Sequence, residues 1–332
     1  MSMNPFRHRL RFLAAAVGAC IGLGASQAAL AQSAGYPNRP VKVIVPFPAG
    51  GLVDGIARTL MTAIGAEIKQ SIVIDNRGGA GGSVGAAAAA QSPADGYTLL
   101  MVLDTHAINP LVYKKLAYDN EKDFAPISLI ARAPMVAVAN EKVPVNSLGE
   151  LVKYAKAQPD AINYGSVGPG SASHLTAEMF NMKAGIKTTH IPYKGGAPAQ
   201  TDLMAGQIQI MWGTAPYAQS LVRAGKTKAL GQASAARSVA FPDLPTAAEQ
   251  GIKDFEAYGW VGLLAPAGTP ADIIRFWNEQ LKKAANSAEV GNKLREQGFE
   301  LVLGSPADFG KFIRSETQGW QQLIKARNIP LE

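Results

Sequence analysis

The chain has 332 residues, 47% hydrophobic and 17% charged, with one cysteine and a formal net charge of +7. That length suits two domains rather than one, and a lone cysteine excludes an internal disulfide. The charge is spread along the chain without a basic run or an aromatic-interleaved patch, so no nucleic-acid partner is expected.

Residues 1–31 read as a cleavable secretory signal. Arg7, Arg9 and Arg11 form a positive n-region, Phe12 to Ala25 an apolar core, and Ala29-Leu30-Ala31 a small-residue cleavage site. The glycine-broken apolar run is too short to span a membrane. Val17-Gly18-Ala19-Cys20 weakly resembles a lipoprotein box, but the apolar run continues past it, so simple export is expected. Cleavage leaves 29 basic against 25 acidic residues, a balance of +4, and no thiol.

Val41 to Val45 is a short β-branched strand, buried on both faces. Pro46-Phe47-Pro48-Ala49-Gly50-Gly51 follows, then a helix with Val53, Ile56, Ala57, Leu60, Met61 and Ile64 at helical spacing. Strand, glycine loop and helix start meet at one point, which suits an anion; an ordinary βα turn has the same outline. Ser71 to Asp75 is a second strand, Asn76 to Gly82 a loop, Ser83 to Gln91 a helix, and Tyr97 to Leu103 a third strand ending in Asp104-Thr105-His106. Alternating strands and helices predict parallel sheets whose ligands gather at strand carboxyl ends.

Ile127 to Ala139 reads as a long strand, interrupted at Pro134, that leaves the first sheet. Ser147-x-x-Glu150 is a capping box opening a helix to Gln158. Strands at Ala161–Tyr164, Thr188–Pro192, Gln207–Trp212 and Lys226–Gln232 then alternate with helices, one of them Ser173 to Ala184 and another carrying Pro198 in its first turn. Tyr258 to Pro266 is the return crossing, and Thr269-Pro270 and Ser305-Pro306 mark late helix starts. One domain is therefore expected at 36–134 plus 262–332 and a second at 135–261, with a hinge and a cleft between them.

Gly81-Gly82-Ser83-Val84-Gly85 matches a nucleophile-elbow pattern, but Ser83 comes eight residues after the strand where the elbow needs a sharp turn, so a secreted serine hydrolase is the lesser reading. The dinucleotide fingerprint fails at Val84 and at Ser173. His174 and Glu178 share a helix face, but two ligands without a third do not make a metal site. No metal, cofactor or catalytic residue is expected. Gly168-Pro169-Gly170-Ser171-Ala172-Ser173-His174 sets glycines and hydroxyls at a helix start, where the serines can cap the helix, bind a ligand, or both.

These stretches together resemble the Bug family of extracytoplasmic solute receptors. The likeness is carried by Tyr36-Pro37-x-Arg39-Pro40, by Pro46-Phe47-Pro48-x-Gly50-Gly51-x-x-Asp54-x-x-Ala57-Arg58, and by Asn76-Arg77-x-Gly79-Ala80-Gly81-Gly82. Asp95-Gly96-Tyr97-Thr98-Leu99, His190-Ile191-Pro192-Tyr193-Lys194-Gly195 and Ala265-Pro266-Ala267-Gly268-Thr269-Pro270 extend it towards the C-terminus. The resemblance implies an α/β, two-domain periplasmic-binding-protein ("Venus flytrap") fold with two crossover strands and a ligand cleft. It implies a periplasmic, monomeric receptor for small carboxylates, often dicarboxylates or acidic amino acids, here a dicarboxylate that can be aromatic, serving a tripartite tricarboxylate-type membrane transporter. A ligand-sensing receptor for a membrane sensor is the alternative. Ligand-binding roles pass by motif to Phe47, Gly50, Gly51, Asp54, Ser171, Ser173 and His174, and by loop position to Thr105, His106, Ala197, Gly213 and Thr214. One departure is Gly213-Thr214 after Met211-Trp212, where the family usually has an aspartate; this predicts a weaker place for an amino acid and room for a bulkier ligand.

Overall fold

The computed structural model describes residues 35–329; the expected signal segment and Cys20 lie outside them. Val41, Val43 and Val45 point to one face of strand β1 (Val41–Val45) and Ile44 to the other, all fully buried. Apolar side chains on both faces place this strand inside a sheet. It pairs in parallel with β2 (Ile72–Asn76) and β3 (Thr98–Leu103). Helix α1 (Leu52–Ile68) lays its Ile56, Leu60 and Ile64 stripe on one face. A 3-10 turn (Ala80–Gly82) leads into the alanine-rich α2 (Ser83–Ala90), which packs on the other.

Asp104-Thr105-His106, read from the sequence as a strand end, instead opens helix α3 (Thr105–Val112). Pro110 lies inside it. In so short a helix the missing N–H costs one bond, and burial of Ala107, Ile108 and Val112 offsets the loss.

Strand β4 (Phe124–Asn140) runs 17 residues, and Pro134 does not interrupt it. Its first part pairs antiparallel with β9 (Tyr258–Pro266), which pairs antiparallel with β3. Its last part pairs antiparallel with β7 (Ile210–Thr214) and β8 (Thr227–Ala233). The expected parallel sheets are therefore mixed, because both crossings enter them antiparallel. In the second sheet β5 (Asn163–Ser166) lies parallel between β7 and β6 (Thr189–Pro192). Helices α4 (Leu148–Ala157) and α5 (Ala172–Ala184) cover one face, and α6 (Gly196–Ala205) and α7 (Ala215–Arg223) the other. The capping box forms: Ser147 Oγ accepts from Glu150 N at 3.1 Å, while Glu150 reaches back to Asn146 N at 2.7 Å.

The chain ends with α8 (Ala271–Asn286), α9 (Ala288–Glu296), a short β10 (Glu300–Leu301) on β4 that the sequence reading missed, and α10 (Pro306–Arg327). Phe309 and Ile313 of α10 pack with Trp260 in the first core, whereas Trp320, Leu323 and Ile324 pack with Leu175 and Phe180 in the second. One helix thus belongs to both hydrophobic cores.

Candidate functional site

The register of β4 fixes where the strand ends lie. Leu103, the last residue of β3, pairs with Val261, which pairs with Ala131 of β4. Thr214, the last residue of β7, pairs with Met135 of β4. β3 runs with β4 and β7 against it, so their carboxyl ends point at each other across four residues of β4, about 13 Å at the usual strand rise. β1 and β2 end beside β3, and β5 and β6 beside β7. A helix follows each of these six strands: α1, α2 and α3 on one side, α5, α6 and α7 on the other. Each start leaves N–H groups without an intrahelical partner and a positive dipole end. Two rows of positive helix ends therefore face one another across a gap.

Asp54 organises the first loop. Its Oδ2 accepts from Gly50 N and Arg58 Nε, both at 2.9 Å, and its Oδ1 from Asn76 Nδ2 at 3.0 Å, while Asn76 also donates to the Phe47 carbonyl at 3.0 Å. The Arg58 hydrogen bond, with those from Gly50 and Asn76, holds the carboxyl down at about 2 against the opposing effect of burial. Gly50 sits at φ 81°, a left-handed conformation that favours glycine. Gly51 does not; its tightness is steric, since a Cβ there would lie 3.2 Å from the Pro48 carbonyl oxygen. Phe47 packs against Gly82, where an added Cβ would meet its Cζ at 3.3 Å.

In the second sheet the Gly168–His174 loop is held by its own side chains. Ser171 Oγ donates to the Gly168 carbonyl at 2.6 Å and caps α5 by accepting from His174 N at 3.4 Å. Ser173 Oγ accepts from Val167 N at 3.1 Å, and His174 Nδ1 accepts from Gly170 N at 3.0 Å. That last bond requires an unprotonated Nδ1, and burial depresses the His174 pKa in the same direction despite Glu178. The ring stacks on His190 with centroids 3.9 Å apart, and burial, reinforced by His174, lowers His190 to about 4. Glu178 bonds Tyr164 at 2.6 Å and Arg327 at 2.7 Å, not His174. Burial raises the Glu178 pKa, but those two bonds outweigh it and hold the carboxyl below its usual value. Among the described residues no cluster of three or more potential ligands could hold a metal.

The remaining expected residues divide. Thr105 begins α3 and Ala197 lies in the first turn of α6, both at the facing ends. Gly213 and Thr214 are the last residues of β7 rather than loop. His106 is buried against Phe124 and Tyr118, and burial lowers its pKa to about 3. Room for a bulkier ligand at Gly213 is not what the structure has, because the Tyr217 ring fills that space. Sequence reasoning missed Tyr217, Asn76 and Asp104. Asn76 stood inside a quoted motif; Tyr217 had only its place in the first turn of a helix after a strand. Ser83 follows a 3-10 turn and opens α2, and among the described residues no histidine bonds it, so the elbow geometry is not formed.

Comparisons with known proteins agree with this fold. A family model described as the tripartite tricarboxylate transporter family receptor matches residues 56–329. Protein BugT of Bordetella pertussis is 35% identical over 299 residues, which is 90% of this chain and 92% of that protein. An R. palustris protein solved with adipate is 36% identical with a TM-score of 0.81, covering 90% of this chain and all of its own, 100%. The periplasmic binding protein BugD is 32% identical with a TM-score of 0.77, over 90% of this chain and 100% of that one. MatC of Rhodopseudomonas palustris, solved with bound malate, is 31% identical with a TM-score of 0.76, over 87% and 100%. The fold is thus that of the periplasmic solute-binding proteins, and the chain belongs to the Bug-type receptors of the tripartite tricarboxylate transporter family.

Proposed function

We propose that this protein is exported to the periplasm, where as a monomer it captures a small carboxylate, a dicarboxylate or an aromatic acid, and delivers it to the membrane subunits of a tripartite tricarboxylate-type transporter. It acts by binding and carries out no reaction on its ligand. The observation that carries this reading is the pair of facing rows of helix starts, three on each side, which suits a small anion held at both ends. Relatives of the same fold solved with adipate and with malate support the ligand class. The two binding units are 36–134 with 262–332 and 135–261.

In this reading the ligand's donors are backbone N–H groups of Leu52, Val53, Ala172, Ser173 and Ala197 rather than an arginine, while Thr105, whose own N–H is held by Asp104, offers its hydroxyl. Phe47 lines the cleft. Gly50, Gly51, Asp54, Ser171, Ser173 and His174 hold the two loops in the shape that presents those donors, since their polar groups are already engaged with the loops. A thermal-shift and calorimetry panel of malate, adipate and benzoate, each beside its amide, tests it. At a hundredfold excess over the dissociation constant a ligand should add about 2.7 kcal/mol of stability. The acids should bind and the amides should not; amides binding as tightly as acids would remove carboxylate capture.

A further inference from the structure

A helix start attracts an anion without choosing what the anion is attached to. That choice falls to the side chains between the loops, and one of them is set in an unusual way. Gly213 has an ordinary backbone conformation, so the chain itself does not demand glycine there. The ring of Tyr217 does. A Cβ at Gly213 would fall 2.5 Å from its Cδ1 and 3.3 Å from its Cε1. The phenol then donates to the Gly196 carbonyl at 3.2 Å. The ring therefore reaches from the end of β7 to the start of α6 and stands between the starts of α6 and α7.

The carboxylates around the facing ends are committed elsewhere. Asp54 is held by Gly50, Arg58 and Asn76, Glu178 by Tyr164 and Arg327, and Asp202 by Tyr193 at 2.7 Å. Asp104 has no such partner side chain: it is 8% exposed, accepts the Thr105 N–H, and burial favours its uncharged form. The rim is apolar instead: Leu52 opening α1, Val84 in the first turn of α2 and Val167 after β5 are 45%, 51% and 41% exposed, from both sides of the gap. A ring face can attract an ammonium by about 0.5–2 kcal/mol. Stripping that ammonium of water without a carboxylate partner costs several kcal/mol, roughly outweighing it.

We propose that Tyr217, seated on Gly213, determines specificity: it selects carboxylates whose remaining body is alkyl or aromatic and rejects those that carry an ammonium group. This rests on the reading of the cleft as a carboxylate site. The probes are matched pairs, adipate against 2-aminoadipate and phenylacetate against phenylalanine, titrated calorimetrically. The wild-type protein should prefer the ammonium-free member of at least one pair by about tenfold or more, which is the loss expected for one unpaired charged group.

The double variant Gly213→Asp/Tyr217→Ala puts a carboxylate into the vacated volume and should cut that ratio at least tenfold, by about 1.4 kcal/mol. Tyr217→Ser leaves the backbone alone and admits water, so the ratio should fall there too, which keeps the test open if the double variant does not fold. Ratios near one in the wild-type protein, or ratios that Tyr217→Ser leaves unchanged, overturn the role of Tyr217 while leaving carboxylate capture standing. If the wild-type protein binds neither member of either pair, this inference falls; if it also binds neither malate nor benzoate, carboxylate capture falls with it.

Discussion

Asp104 lies between β3 and α3, 8% exposed, with its Oδ2 within 3.2 Å of where a Cβ on Gly259 would stand. Burial, then repulsion from Glu316 of α10, pushes its carboxyl up to about 7, with the Thr105 N–H opposing. Glu316 is raised as well, chiefly by burial, although the Trp260 indole donates to it at 3.2 Å. The folded chain thus keeps a proton on Asp104 that the unfolded chain gives up near pH 4. The stability tied to it is complete below about pH 4 and is lost as pH rises through about 7, at no more than about 1.4 kcal/mol per pH unit. Chemical denaturation at pH 5 and pH 8 should show the wild type weakening more than Asp104→Asn over that interval; equal losses would show that Asp104 does not titrate so. Nothing near Asp104 in the sequence signals this burial, because its cover comes from β9 and α10, far along the chain. Asp54 is the opposite case. Its motif and its i, i+4 spacing to Arg58 were legible, and the ion pair forms at 2.9 Å.

Most elements could be read from local pattern alone: β1 from its unbroken apolar run, α1 from its stripe, α4 from its capping box. Those that escaped depend on distant partners. Helix α3 carries a proline that normally stops a helix, and β10 is two residues made into a strand only by pairing with Arg132 and Ala131. The start of α10 was legible at Ser305-Pro306, where Ser305 Oγ accepts from Asp308 N at 3.2 Å. Its passage from one core to the other was not, since both halves show the same helical period. Beyond Trp320 the helix ends with Arg327 bonding Glu178, one turn after His174 on α5. Both partners are largely covered, at 31% and 12% side-chain exposure, so Arg327→Ala removes the cationic partner of a mostly buried carboxylate and leaves it the Tyr164 hydroxyl. The expected cost is about 1–3 kcal/mol. Hydrogen exchange should quicken in α5 and in the last turns of α10 while α1 stays protected. An α5 unchanged in exchange would mean that the ion pair does not tie the helix to the second core.

At the scale of the molecule, the alternation of strands and helices made strand-end loops legible as site candidates, but not the fact that the two sets face each other. That follows from β4 running through both sheets, with β3 parallel to it and β7 antiparallel. The two crossings, near Pro134 and near Tyr258, lie side by side and are bonded to one another, with Met135 N donating to the Ala257 carbonyl at 2.9 Å. A two-stranded ribbon of this kind bends and twists as a unit more easily than it stretches, so rotation about it is the movement expected of the sheets. Helix α10, packed on both cores, adds a third connection that limits the amplitude. Rotation that narrows the gap would bury Leu52, Val84 and Val167, and at roughly 25 cal/mol per Å² the apolar area removed from water favours the narrow form. Opposing it, in the absence of a ligand, is the mutual repulsion of two rows of positive helix ends. A bound dianion removes that repulsion and lets apolar burial prevail. Small-angle scattering should therefore show a smaller radius of gyration and a shorter maximum dimension at saturating adipate, and high salt alone, which screens the helix ends, should give part of the same change. A distance distribution unaltered by either would mean that ligand and gap are not coupled.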